Sequence, residues 1–166
     1  MLPSNAVTLS MPRRFAILCI LLYTGGSAFC ADPPEPKYVT ESLRGKVQFT
    51  ADALKERFGI ESDPDSAQTA VSLVTREGKV YPIVKDVRGR GFLIDTRLRN
   101  RDMELVVRRY EGSPYIQIIR IYTFKDGQKY ALDYWCDICA IIMFELKECE
   151  CCQGPIRLRE ELVTGQ

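Results

Sequence analysis

Tyr115 to Phe124 (YIQIIRIYTF), Lys125-Asp126-Gly127 and Gln128 to Trp135 (QKYALDYW) read as two long strands folded back on a tight turn. Asp126-Gly127 marks the hairpin, because both residues accept the positive φ angles of a two-residue turn. The first arm is apolar at nearly every position, the pattern of a strand covered on both faces. The return arm alternates, with Tyr130, Leu132 and Tyr134 on one face. It runs directly into Cys136. A chain organised around such a hairpin is expected to be mainly β.

Working outward, Asp102 to Tyr110 predicts a strand with Met103, Leu105 and Val107 on one face. Thr69–Thr75 and Lys79–Lys85 predict two strands joined by Arg76-Glu77-Gly78. Pro82 has no amide proton, which places it at a sheet edge or a bulge. Arg44 to Phe49 predicts a first strand. Thr50 then serves as a candidate N-cap for a short helix over Ala51–Phe58, with Gly59 to end it. Val87 to Arg101 reads as irregular and arginine-rich. Ile156 to Val163 reads as a last strand.

The stretch from Val71 to Phe124, with Arg44–Phe49 added, resembles the OB-fold domains of uncharacterised exported bacterial proteins. The residues that carry the resemblance are Leu73 to Val84, Leu98, and the paired strands Met103–Tyr110 and Tyr115–Phe124. It implies a small five-stranded Greek-key barrel, here with one short helix and a C-terminal cysteine-rich hairpin. The helix read from the sequence follows the first strand, whereas such barrels carry theirs before the fourth. The resemblance brings no activity with it.

Five of the seven cysteines lie between Cys136 and Cys152. Cys136/Cys139 and Cys149/Cys152 are two Cys-x-x-Cys pairs, similar to a short zinc ribbon, and Cys151 is surplus. Each such pair offers two thiolates from one turn, so the four can surround one Zn²⁺. Ala140 stands where a ribbon usually has glycine. Structural disulfides are the competing reading in an exported protein. A thiol–disulfide redox or metal-handling site using the same cysteines is the other, without the βαβ setting such sites need. If the metal reading holds, Ala140 to Glu148 doubles back between the pairs, and Ile141, Ile142, Met143, Phe144 and Leu146 are expected to pack that return on the barrel.

The chain contains no histidine, which excludes Ser-His and Cys-His catalysis and histidine metal ligands. Net charge is +1, so nothing global calls for nucleic acid or an anionic membrane. Locally, seven arginines fall between Arg88 and Arg109. Among them Arg97, Arg99 and Arg101 are candidates to bind a polyanion on a barrel face; a solvated charged surface is the simpler reading of such a charge run. Asp126, Asp133, Asp137, Glu145, Glu148 and Glu150 crowd around the cysteines, and their spacing deduces no acid–base pair. No catalytic residue is nominated.

Residues 1–31 read as a signal peptide: Arg13 and Arg14, the apolar run Phe15–Tyr23, then small residues. The expectation is an exported, periplasmic or extracellular protein without a membrane span after cleavage. Lipoprotein anchoring at Cys30 fits less well, because Phe29 precedes it. Residues 32–43 are expected to be a proline-rich linker and 44–166 one OB-like β domain. The reading is a non-enzymatic binding or structural module with zinc, its ligand or protein partner unspecified.

Overall fold

A computed structural model describes residues 35–164; the expected signal peptide lies outside the described residues. The fold is mainly β. Eight strands form one antiparallel sheet: β1 (Tyr38–Phe49), β2 (Val71–Thr75), β3 (Val80–Pro82), β4 (Asp102–Tyr110), β5 (Ile116–Lys125), β6 (Gln128–Cys136), β7 (Ile141–Met143) and β8 (Arg157–Leu162). Their order is β3-β2-β1-β4-β5-β6-β7, and β8 pairs with β6.

The sheet curls into a half-barrel because β1 is shared. Its first part pairs with β4, Tyr38 opposite Tyr110, and its last part with β2, Phe49 opposite Val71. Both ladders use Gly45. A Cβ there would lie 2.1 Å from the Val74 carbonyl oxygen, so only glycine lets the strands coil this tightly. On the far side, a single parallel bridge joins Ile83 to Ile116, with Val84 N–H donating to Ile116 O at 2.9 Å. Pro82 sits in the short strand at the sheet's end, where a missing amide proton costs no ladder bond. Val47, Leu73, Phe92, Leu98, Met103, Leu105, Val107, Ile116 and Ile118 fill the interior.

Several elements differ from expectation. β1 begins at Tyr38, inside the segment expected as linker, because β4 supplies partners out to Tyr110 and the two tyrosine rings meet edge to face at 5.6 Å. The helix α1 (Thr50–Phe58) ends at left-handed Gly59 as expected, but Thr50 does not cap it. The Thr50 hydroxyl instead meets the Ser72 hydroxyl at 2.8 Å, fastening α1 to β2. The stretch read as irregular holds a second helix, α2 (Val87–Ile94), so a helix does precede the fourth strand. Gly89 and Gly91 hide it from propensity, while the Asp86 side chain caps it by accepting from the Arg88 and Gly89 amides.

β5 is not covered evenly on both faces. Val107 lies opposite Ile118 and Val106 opposite Arg120, so Ile119 is the extra residue of a β-bulge. The bulge shifts the inward phase from Ile116 and Ile118 to Ile121 and Thr123. One apolar face thus looks like two in the sequence.

Candidate metal centre

β6 ends at Cys136, which is fully buried. The chain turns through Asp137–Ala140 and returns as β7, with Cys136 opposite Ile141 and Tyr134 opposite Met143. After Phe144–Glu148 it makes a second turn at Cys149–Gln153. It then comes back as β8, with Tyr134 opposite Leu158 and Trp135 opposite Arg157. Tyr134 and Trp135 pair on both sides, so β7 and β8 flank the two edges of β6.

The two cysteine turns are built alike. Ala140 N–H donates to Cys136 O at 2.9 Å, and Gln153 N–H donates to Cys149 O at 2.8 Å. Ala140 and Gln153 are both left-handed, with φ of 53° and 57°. In the first turn the Cys139 amide points at Cys136 Sγ, 3.5 Å away. In the second the Cys152 and Cys151 amides donate to the Cys149 sulfur and lower that thiol to about 7. Gly154 closes the second turn by accepting from Cys149 N–H at 2.9 Å. A Cβ on Gly154 would meet Ile138 Cδ1 at 3.0 Å and Cys152 Sγ at 3.3 Å, so its bareness lets the turns approach.

The sulfurs of Cys136, Cys139, Cys149 and Cys152 all lie within 4.8 Å of one another, and Cys136 Sγ is 3.5 Å from Cys152 Sγ. Four thiolates about 2.3 Å from one ion at tetrahedral angles stand about 3.8 Å apart. A disulfide requires about 2.05 Å. The arrangement can therefore hold a metal ion. The Cys139 amide pulls the Cys136 thiol down, but burial and the Cys149 and Cys152 sulfurs outweigh it and leave it raised. Cys139 is also raised, by the Cys151 and Cys152 sulfurs and then by burial. Such crowding is what a bound cation relieves. Cys151 is exposed and stands outside the group of four.

The loop between the pairs is anchored. Met143 and Glu145 are buried and Leu146 packs on the core, whereas Ile141, Ile142 and Phe144 remain substantially exposed. Glu145 accepts from Arg90 Nε at 3.0 Å and Nη2 at 2.8 Å. Asp133 pairs with Arg159, Asp137 with Arg157 and Glu150 with Lys147. Four of the six crowded carboxylates, Asp133, Asp137, Glu145 and Glu150, are thus partnered by cations.

The three candidate anion-binding arginines have partners within the chain. Arg97 clasps Asp95, with Nη2 2.6 Å from Oδ2. Arg99 donates to the Phe92 and Leu93 carbonyls and stacks over Phe49 at 4.4 Å. Arg101 donates to Thr123 Oγ1 at 2.7 Å and Glu160 Oε1 at 2.8 Å. The sequence offered no signal for the Arg90–Glu145 clasp or for Tyr134 Oη donating to Asp95 Oδ2 at 2.7 Å, because these partners lie 55 and 39 residues apart.

No protein-family model, curated protein or solved structure matches the chain.

Proposed function

We propose that Cys136, Cys139, Cys149 and Cys152 bind one Zn²⁺ as thiolates in an exported, non-enzymatic β domain of the OB-like kind. The observation that carries this reading is the matched pair of turns, which brings four sulfurs within 4.8 Å of one another. Four soft sulfur donors without an oxygen or imidazole suit zinc. A set with all four positions filled by protein is of the structural kind, without an open place for a reacting water. The metal would tie the end of β6 to the segment leading into β8, and its binding energy would count as folding energy. Export is supported by the basic-then-apolar opening of the sequence, and the OB-like family by the order β3-β2-β1-β4-β5 of the first five of the eight strands, with a helix before the fourth.

The test is metal analysis beside a thiol count on protein purified without reductant. One zinc per chain, with Cys151 freely alkylated and the other four released only by a chelator, is the expected result. Metal-free protein with Cys136 disulfide-bonded to another cysteine would replace this reading with a covalent staple.

A further inference from the structure

β5 and β6 part company partway along their length. They pair from Lys125–Gln128 to Tyr122–Ala131 and no further. At the other end of β5, Ile116 is held by the bridge to Ile83. Between these points, the edge of β5 from Gln117 to Ile121 that faces away from β4 has no strand paired to it among the described residues. β7 occupies the same edge of β6 farther along and is itself a sheet edge. The divergence leaves a fork with a cavity of about 530 Å³. Its apolar walls come from Ile119, Ile121, Leu132 and Ile142.

Two cations at this fork lack a carboxylate partner. Arg88 and Arg120 both line the cavity, and neither lies within ion-pair distance of an Asp or Glu among the described residues. The fork's third arginine, Arg159, is bound to Asp133 at 2.8 Å. The aromatic faces here are already covered: Arg88 lies 3.7 Å over Phe144, Arg159 4.1 Å over Trp135 and Lys129 4.1 Å over Tyr122. Base stacking needs open aromatic faces. An unpaired strand edge, aliphatic walls and two unpaired guanidinium groups call for something else.

We propose that the fork between β5 and β7 is a docking site for an extended acidic peptide segment of a partner protein. The segment adds as a strand to the open edge of β5, places an aliphatic side chain between Ile121 and Ile142, and offers carboxylates to Arg88 and Arg120. This site is separate from the cysteine centre and does not depend on the metal reading.

The probe is a fluorescein-labelled, amidated peptide, Glu-Val-Ile-Val-Glu, added to the ¹⁵N-labelled full chain with its zinc content measured in parallel. A control peptide carries Lys in place of both Glu. The acidic peptide is expected to shift the amides of Gln117–Ile121 and Ile142–Phe144, while the lysine peptide does not bind. Charge reversal in Arg88→Glu/Arg120→Glu should weaken binding at least tenfold, since it replaces two charge-assisted contacts with repulsions. Zinc content should be unchanged. Ile142→Glu, at a side chain already half exposed, serves as a second variant and should weaken binding as well. Amide shifts confined to other surfaces, or equal affinity of the acidic peptide for wild type and variants, would overturn the proposal. So would oligo-dT binding through Arg88 and Arg120 when neither peptide binds.

Discussion

Arg90 of α2 grips Glu145, in the loop between the two cysteine pairs, through a two-pronged ion pair of 3.0 and 2.8 Å. Glu145 is 8% exposed, so its carboxylate depends on this partner rather than on water. Hydrogen bonding from Arg90 holds its pKa below the ordinary value against the effect of burial. The clasp fastens the cysteine loop to the helix that precedes the fourth strand. Arg90→Ala takes both hydrogen bonds from a buried carboxylate, leaving it only Lys147 at 4.0 Å, and should destabilise the protein by about 1–3 kcal/mol. Arg90→Ala/Glu145→Gln should recover part of that loss. Urea unfolding of wild type and the two variants checks this, and a double variant no more stable than Arg90→Ala would contradict it.

Asp95 is one of the carboxylates whose protonation weakens the fold in acid. Burial pushes its carboxyl up, but hydrogen bonds from Arg97 and Tyr134 outweigh it and bring the pKa to about 2. A carboxyl lowered on folding stabilises the fold above its unfolded pKa, here near 4, and loses that contribution as pH falls towards 2. Tyr134→Phe removes one donor from the carboxylate. The expected cost is about 1–2 kcal/mol at pH 7, shrinking as pH drops through the range where Asp95 protonates. Stability against pH for wild type and variant checks it. A gap that stays constant down to pH 2 would show that the hydrogen bond does not favour the ionised form.

The bulge in β5 separates neighbours that look equivalent in the sequence. Ile118 is 2% exposed, whereas Ile119 is the unpaired extra residue. Ile118→Ala should cost about 2–5 kcal/mol and Ile119→Ala about 1 kcal/mol or less. Equal costs would mean that the inward phase does not switch where the register shifts.

Both cysteine turns place an L-residue in the left-handed region, Ala140 and Gln153. Glycine adopts that conformation without the clash that costs a non-glycine residue about 1–2 kcal/mol. Part of the gain is offset by glycine's freer unfolded chain. Ala140→Gly and Gln153→Gly should therefore each raise stability by up to about 1 kcal/mol with metal content unchanged. Thermal melts checked against metal analysis decide this; lowered stability in both would argue against the matched left-handed turns.

The strands were legible because alternation and turn residues are local signals. Asp126-Gly127, Glu77-Gly78 and the face made by Met103, Leu105 and Val107 each predicted their element without tertiary information. The cysteine spacing likewise placed four clustered cysteines in two turns. What escaped was set by distant partners or by a local rule that misleads. α2 hides behind two glycines, and its cap at Asp86 lies just before the arginine-rich stretch. The start of β1 at Tyr38 exists because β4 reaches Tyr110. Thr50, a plausible cap by type, is drawn instead to Ser72 across 22 residues. Arg97 has Asp95 two residues away in the sequence, but only the fold supplies the Phe92 carbonyl to Arg99 and Glu160 to Arg101.

The most direct test of the zinc reading is the metal-to-protein ratio of five single variants, Cys136→Ser, Cys139→Ser, Cys149→Ser, Cys151→Ser and Cys152→Ser, each purified without reductant. Cys136, Cys139, Cys149 and Cys152 share one cluster of sulfurs, and Cys151 stands outside it. Wild type and Cys151→Ser should carry one zinc per chain, and the other four variants should lose it together with stability of the C-terminal strands. A wild type without zinc, or a Cys151→Ser variant that loses the metal while Cys152→Ser keeps it, would contradict the assignment.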